Sequence, residues 1–351
     1  MVFTGIVIGA LSVALVYFGN PGNMGMCIAC FLRDITGSLG FHRANTVQYL
    51  RPELLGLSLG AFVAALAGKD FRSRGGSASF VRFLLGALMM VGALVFLGCP
   101  LRDILRMSGG DLNAVVGFAG FIGGVLFGVF FLKQGFNLGP ARSDNISPLG
   151  GYLFIFGVLA LLALLFFRID FNPAGGGPLF FSKEGPGSMH AAVGIALAAG
   201  LVVGFLAQKT RMCLSGGFRD YFLIRENGLL IAYGFIFLTA MALNMYFGFF
   251  HLGFEGQPIA HTKHLFNFLG LFLVGQTAVL LGGCPLRQIV LGSEGDMDAA
   301  VAVLGMIFGA GVAHNFMLAS SPKGTTLFGE VAVVLGILVV SLIAWAYREV
   351  D

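Results

Sequence analysis

"GCPLRDILRMSGGDLNAVV", residues 98–116, returns as "GCPLRQIVLGSEGDMDAAV" at residues 283–301, with Cys, Pro, Leu, Arg, Ile, Ser, Gly, Asp, Ala and Val at the same positions. A shorter pair runs alongside it: "MCIACFLRD", residues 26–34, returns as "MCLSGGFRD", residues 212–220, keeping Met, Cys, Arg and Asp in step. Cys27 precedes Cys99 by 72 residues and Cys213 precedes Cys284 by 71, so an entire architectural unit is duplicated. Chance similarity between apolar helices would match Leu and Gly; it would not hold Cys-Pro-Leu-Arg and Gly-Asp in register.

The 351 residues are 57% hydrophobic and 11% charged, less than half the charge of an ordinary soluble domain. This is the composition of an integral membrane protein. Uncharged stretches near the length that crosses a bilayer as a helix, about 20 residues, recur at 112–132, 145–167, 188–208, 227–250, 265–286 and 299–322. Shorter ones lie at 2–19, 54–68 and 83–98, and 324–347 carries the single charge of Glu330, giving about ten spans. Their unbroken Leu/Gly/Ala/Phe runs lack the alternation of a membrane barrel, so the fold class is all-α, a polytopic helical membrane protein. The first span has no basic flank and no small-residue cleavage site, which favours a retained helix over a signal peptide.

About five spans separate the two copies, and an odd number inverts the second against the first. Residues 1–170 are expected to form the first membrane repeat, 171–187 a linker and 188–351 the second repeat. Inverted repeats are a hallmark of transporters whose site lies near the bilayer midplane at the repeat interface, often on broken helices. The four cysteine segments are the candidates for those re-entrant breaks, and 133–148, 170–188 and 320–326 are ordinary connections. Lys69, Arg72, Arg74, Arg82, Lys133, Arg142, Lys209, Arg211 and Arg225 fall on one side of the ten spans and fewer bases, Arg43, Arg51, Arg168 and Lys183, on the other. By the positive-inside rule both termini lean to the cytoplasm. The net charge of +4 comes without a basic run or basic-aromatic stripe, which argues against nucleic acid.

Proline directly after cysteine suits the first position of a helix, making Cys99 and Cys284 expected N-caps. Their thiols would then lie at the positive end of a helix dipole, beside unpaired N–H groups that attract anions. Arg102 and Arg287 follow one turn on, while Arg33 and Arg219 lie six residues after Cys27 and Cys213, each followed by an aspartate, Asp34 or Asp220, able to hold the guanidinium. Charges inside a membrane mark function by default. Four thiols, four arginines and helix N-termini converging from two halves describe a route for a small anion. A thiol, weak as a donor and soft as an acceptor, passes an anion on without trapping it, and suits anions that present sulfur or selenium.

Blander readings stand beside these. A single buried cysteine is usually a small apolar residue, and arginines also anchor loops at membrane interfaces. Asp111 and Asp296 after glycine read as helix starts. Cys27 and Cys30 form a CxxC suited to thiol redox chemistry, yet Gly216 stands where the duplicate of Cys30 would be. His251, His261, His264 and Glu255 share one loop without compact ligand spacing and read as solvated, with no metal; His314 and Asn315 read as helix–helix hydrogen-bonders, and Gly120, Gly124 and Gly128 as a close-packing face. No phosphate-binding loop with its lysine is present, and no cofactor is expected.

On all four cysteine segments the chain resembles the YeeE/YedE family of membrane proteins for uptake of sulfur compounds, thiosulfate among them. "GNPGNMGMCIACFLRD" and "FHRANTVQYLRPE", residues 19–34 and 41–53, look most like the branch assigned to selenium transport. The resemblance implies an hourglass-shaped helical protein of the bacterial inner membrane, its cysteines at the constrictions passing thiosulfate along by S–H hydrogen bonds. Cys27, Cys99, Cys213 and Cys284 are the matching positions, although the family pattern emphasises three; Cys30 is specific to the branch. A cytosolic small sulfur-carrier protein is a further partner to expect. The alternative is a membrane thiol oxidoreductase or sulfur transferase working through Cys27 and Cys30.

Overall fold

The computed structural model describes residues 1–143, 147, 149–167 and 179–349. Arg168, used above for orientation, and residues 171–178 of the expected linker lie outside them. Fourteen α-helices account for nearly all of the regular structure among the described residues: α1 Val2–Tyr17, α2 Ile28–Ser38, α3 Pro52–Ala67, α4 Ser79–Phe96, α5 Pro100–Ser108, α6 Leu112–Lys133, α7 Leu153–Phe167, then α8 Val193–Lys209, α9 Leu214–Ile224, α10 Gly228–Tyr246, α11 His264–Leu280, α12 Pro285–Ser293, α13 Met297–Asn315 and α14 Leu327–Ala346. Four of these, α2, α5, α9 and α12, are only 9–11 residues long. They are the cysteine segments. The other ten correspond to the ten expected spans, with α4 beginning four residues earlier and α13 ending seven residues sooner than its apolar run suggests.

Eight helical stretches are long and apolar enough to cross a membrane, and α1 and α3, with 16 residues each, are shorter. The chain is therefore a multi-pass helical membrane protein. Apolar side chains such as Phe3, Phe80, Phe166, Phe167, Leu327 and Leu342 stay exposed on its perimeter, where lipid replaces water as their solvent. Polar and charged residues are instead gathered inside: Arg51, Arg102, Arg106, Asp103 and Asp111 are all fully buried.

Helix contacts follow one pattern. The helix α1 packs on α10 and α3 on α8; α6 packs on α11 and α13 on α4. Advancing every label by seven turns each pair into its mate, so the two halves clasp each other instead of standing side by side. Small residues permit this: a Cβ added to Gly120 or Gly124 would lie 2.1 or 2.0 Å from the Phe268 or Phe272 carbonyl of α11, the close backbone approach expected of that glycine face. The last helix of each half departs from the pattern, α7 packing on α3 and α12 while α14 packs on α4 and α11.

Loops complete the exchange. Residues 68–78, between α3 and α4, bond to the end of α12 through Arg72 N–H to Glu294 O (2.9 Å) and Met297 N–H to Arg74 O (2.8 Å). Residues 247–263, between α10 and α11, do the same at the end of α5, through His251 N–H to Gly109 O (2.9 Å) and Leu112 N–H to Gly253 O (3.1 Å). Both junctions turn on a glycine with φ +92°, Gly110 and Gly295, a backbone that L side chains adopt only with strain. The recurring Asp111 and Asp296 cap α6 and α13, accepting from Asn113 N–H and Ala299 N–H, as their position suggested. In the second loop His261 is not solvated: it is buried, its Nε2 2.8 Å from the Val95 carbonyl of α4. Burial, only partly offset by that bond, pushes its pKa below the ordinary imidazole value. His314 differs from expectation too, its ring packed against that of His42 with centroids 4.4 Å apart and planes tilted by 31°, while Asn315 donates to the Phe41 carbonyl at 2.8 Å.

Candidate functional site

All four repeat cysteines are N-caps of the short helices, with extended backbone. Pro100 and Pro285 occupy the first helical positions after Cys99 and Cys284, for the reason read from the sequence. Cys27 and Cys213 reach the same role differently, their sulfurs accepting from Cys30 N–H (3.3 Å) and Gly216 N–H (3.2 Å). Each half joins its two caps. Cys27 and Cys99 are within side-chain hydrogen-bonding reach of each other, as are Cys213 and Cys284, and the Cys284 N–H donates to the Cys213 sulfur at 3.5 Å. Thiols 72 and 71 residues apart in sequence thus meet as two pairs, and all five cysteines are buried free thiols.

Around the first pair the charge balance is positive. Arg33 donates to Asp34 Oδ1 at 2.7 Å and Arg51 to Asp34 Oδ2 at 2.7 Å, all three side chains at or near zero exposure. Two guanidiniums therefore share one carboxylate beside Cys27 and Cys30. Arg51 also donates to the Met189 and Pro186 carbonyls, 3.1 and 2.7 Å away, tying the start of α3 to the segment that leads into α8. Arg102, fully buried, has no carboxylate partner among the described residues; it donates to the carbonyls of Asn23 (3.0 Å), Leu97 and Ile259 (3.2 Å) and to the Cys30 sulfur (3.6 Å). One side chain thereby closes α2, α5 and the 247–263 loop over the thiols.

The second pair is more open. Cys213 lines a cavity of about 450 Å³ with Thr210, Arg211, Gly216, Arg219, Asp220 and Arg287 among its walls. Arg211 and Arg287 also line an adjoining polar cleft of about 270 Å³ with Asp70, Arg72, Arg74, Gln208 and Glu294. Arg219 pairs with Asp220 at 2.8 Å, both about 30% exposed, and Arg287 with Glu294 at 3.1 Å. The arginines beside this thiol are thus partly exposed, unlike the buried ones around Cys27 and Cys99.

Every expected site residue therefore lies near the thiols of its own half, and Cys30 joins them with its sulfur 2.7 Å from that of Cys27. Arg51, Arg106 and Tyr233 were not anticipated. Arg106 is fully buried, paired with Asp111 at 2.7 Å and lying over the Phe96 ring at 4.3 Å; Leu291 replaces it in the second copy, so repetition gave it no signal. Tyr233 stands outside the duplicated motifs, in the largely apolar run of α10, and reads there as packing.

Comparison with known proteins adds identity to this geometry. A family described as "Sulphur transport" matches residues 209–347, from the end of α8 to the end of α14 and including Cys213 and Cys284. The thiosulfate transporter TsuA of Escherichia coli (strain K12) is 27% identical over 107 residues, a stretch covering 30% of this chain and 30% of that protein. On these matches the second half of the chain is similar to the sulphur-transport, YeeE/YedE, family, and its long apolar helices make the chain a multi-pass membrane protein.

Proposed function

We propose that this protein imports a small sulfur- or selenium-containing anion, thiosulfate foremost, along a central path lined by cysteine thiols. The observation that carries the reading is the meeting of four helix-capping cysteines in two buried pairs, Cys27 with Cys99 and Cys213 with Cys284. Helix N-termini and unbalanced guanidiniums set the charge preference, and soft sulfur donors accept the anion's sulfur or selenium end without holding it. The exchange of helix contacts between halves, with five long helices lying between α2 and α9, supports the reading of residues 1–170 and 188–351 as inverted repeats whose short helices are re-entrant. The cavity at Cys213 is lined by Arg211 and adjoins the cleft of Arg72 and Arg74, the side assigned to the cytoplasm by charge, where a small sulfur-carrier protein would receive the cargo.

Uptake of labelled thiosulfate and of selenite in a host lacking its own routes tests this. The wild-type chain supports uptake of at least one, and Cys99→Ala with Cys284→Ala reduces it at least tenfold; undiminished uptake in the double variant contradicts the thiol path. The Cys27–Cys30 contact favours one rival, a membrane thiol oxidoreductase or sulfur transferase. That rival requires the two thiols to cycle through a disulfide, so thiol labelling that stays constant during turnover excludes it.

A further inference from the structure

Tyr233, in the first half of α10, is 3% exposed, and its hydroxyl has no hydrogen-bond acceptor. A buried phenol ordinarily finds one. The helix that carries it packs on both α5 and α9, the helices capped by Cys99 and Cys213. The phenol lies within electrostatic range of Cys99, Cys213 and Cys284, so a donor with nothing to donate to stands on the helix that joins the thiol-capped helices of both halves. The backbone N–H of Leu214, in the first turn of α9, lies within reach of both the Tyr233 oxygen and the Cys284 sulfur.

These groups divide the work of recognition. A thiol is a poor donor to oxygen but a good neighbour for polarizable sulfur. A phenol is the reverse. We infer that Tyr233 and the Cys213/Cys284 pair form a two-ended subsite for an oxyanion with a terminal sulfur or selenium: the hydroxyl donates to an anion oxygen while the thiols hold the chalcogen end. The inference rests on the transport reading above and assigns the recognition of oxygen to a residue outside the duplicated motifs. It makes the site selective for anions that carry both ends over those, such as thiocyanate, that present sulfur without oxygen.

The test is thiosulfate uptake by wild type and by Tyr233→Phe, with thiocyanate as competitor and the melting midpoint of each purified protein as a control. A hydrogen bond to a charged acceptor corresponds to roughly ten- to a hundredfold in affinity. The half-saturating thiosulfate concentration therefore rises by about that factor, while the inhibition constant of thiocyanate, corrected for the changed thiosulfate saturation, and the melting midpoint do not move. Unchanged thiosulfate saturation overturns the inference, as does an equal loss towards both anions. Should the phenylalanine variant fail to reach the membrane, 3-fluorotyrosine placed at 233 decides: it keeps the hydroxyl and strengthens it as a donor, so thiosulfate affinity rises, and an indifferent response overturns the subsite. A wild-type chain that takes up no thiosulfate overturns the transport reading and this inference together; wild-type uptake with indifferent variants overturns this inference alone.

Discussion

Asp103 shows what duplication leaves behind when one copy drifts. Both its carboxylate oxygens are buried without a partner, whereas Gln288, its counterpart in the second copy, donates to the Leu281 and Gly283 carbonyls at 3.2 Å each. A carboxylate cannot make those bonds unless it holds a proton, and a buried acceptor left unpaired costs about 1–3 kcal/mol. Asp103→Gln is expected to recover the second copy's bonds and raise the melting midpoint by about 2–4 °C in a detergent-solubilised thermal melt; a fall would show that the carboxylate is stabilised by a partner that the substitution removes. The mismatch of Asp with Gln was visible in the repeat alignment, but its meaning was not, since it depends on where the neighbouring carbonyls point. Cys99 and Cys284 were legible as caps because Pro follows each. Cys27 and Cys213 were not, because they cap through sulfur accepting a backbone N–H, which leaves no mark on residue order.

At the level of elements, the two junctions after α5 and α12 were only half legible. Gly-Asp signalled a helix start, yet nothing in the sequence showed that each turn lies under a loop from the other half. A Cβ at Gly110 would come 2.6 Å from the His251 carbonyl, and one at Gly295 2.7 Å from that of Arg72. Added to the strain of φ +92°, this predicts that Gly110→Ala and Gly295→Ala each destabilise by about 1–3 kcal/mol, seen as lower melting midpoints; a variant that melts like wild type contradicts the clamp. The 247–263 loop also carries a pH dependence. His261 is bonded to Val95 and faces Arg106, Asp111 and His264, and its pKa is lowered from 6.5 chiefly by burial. A lowered histidine pKa means the unfolded chain binds the extra proton first, so the contribution is complete above about pH 6.5 and is lost as pH falls below it. Protection factors for hydrogen exchange in residues 247–263, referred to the intrinsic rate at each pH, are expected to fall on acidification from about pH 7 to pH 5 in wild type and much less in His261→Gln. An equal fall in both would place the titrating group elsewhere.

Across the whole molecule, the fold class, the ten long helices and the duplication could be read from composition and self-comparison, because lipid leaves helices little freedom in length or polarity. The clasp between halves could not, since it arises from tertiary contacts such as α3 on α8 and α1 on α10 that small residues permit without specifying. Neither half buries its own glycine faces, so residues 1–170 expressed alone are expected to be degraded and to accumulate only when 188–351 is co-expressed; a stable, monodisperse first half would contradict the interlocked arrangement. The positive balance around Cys27 and Cys99 and the wetter arginines around Cys213 give the two ends of the proposed path different characters, one held shut by Arg102 and one open to a cavity of about 450 Å³. The central claim is that the four capping thiols border one shared route. A density map of the wild-type protein with thiosulfate tests it most directly: the account predicts an anion in contact with Cys213 and Cys284, or with Cys27 and Cys99, inside the helix cluster, whereas an anion bound only at the surface, with the thiol pairs unoccupied at saturating concentration, would contradict it.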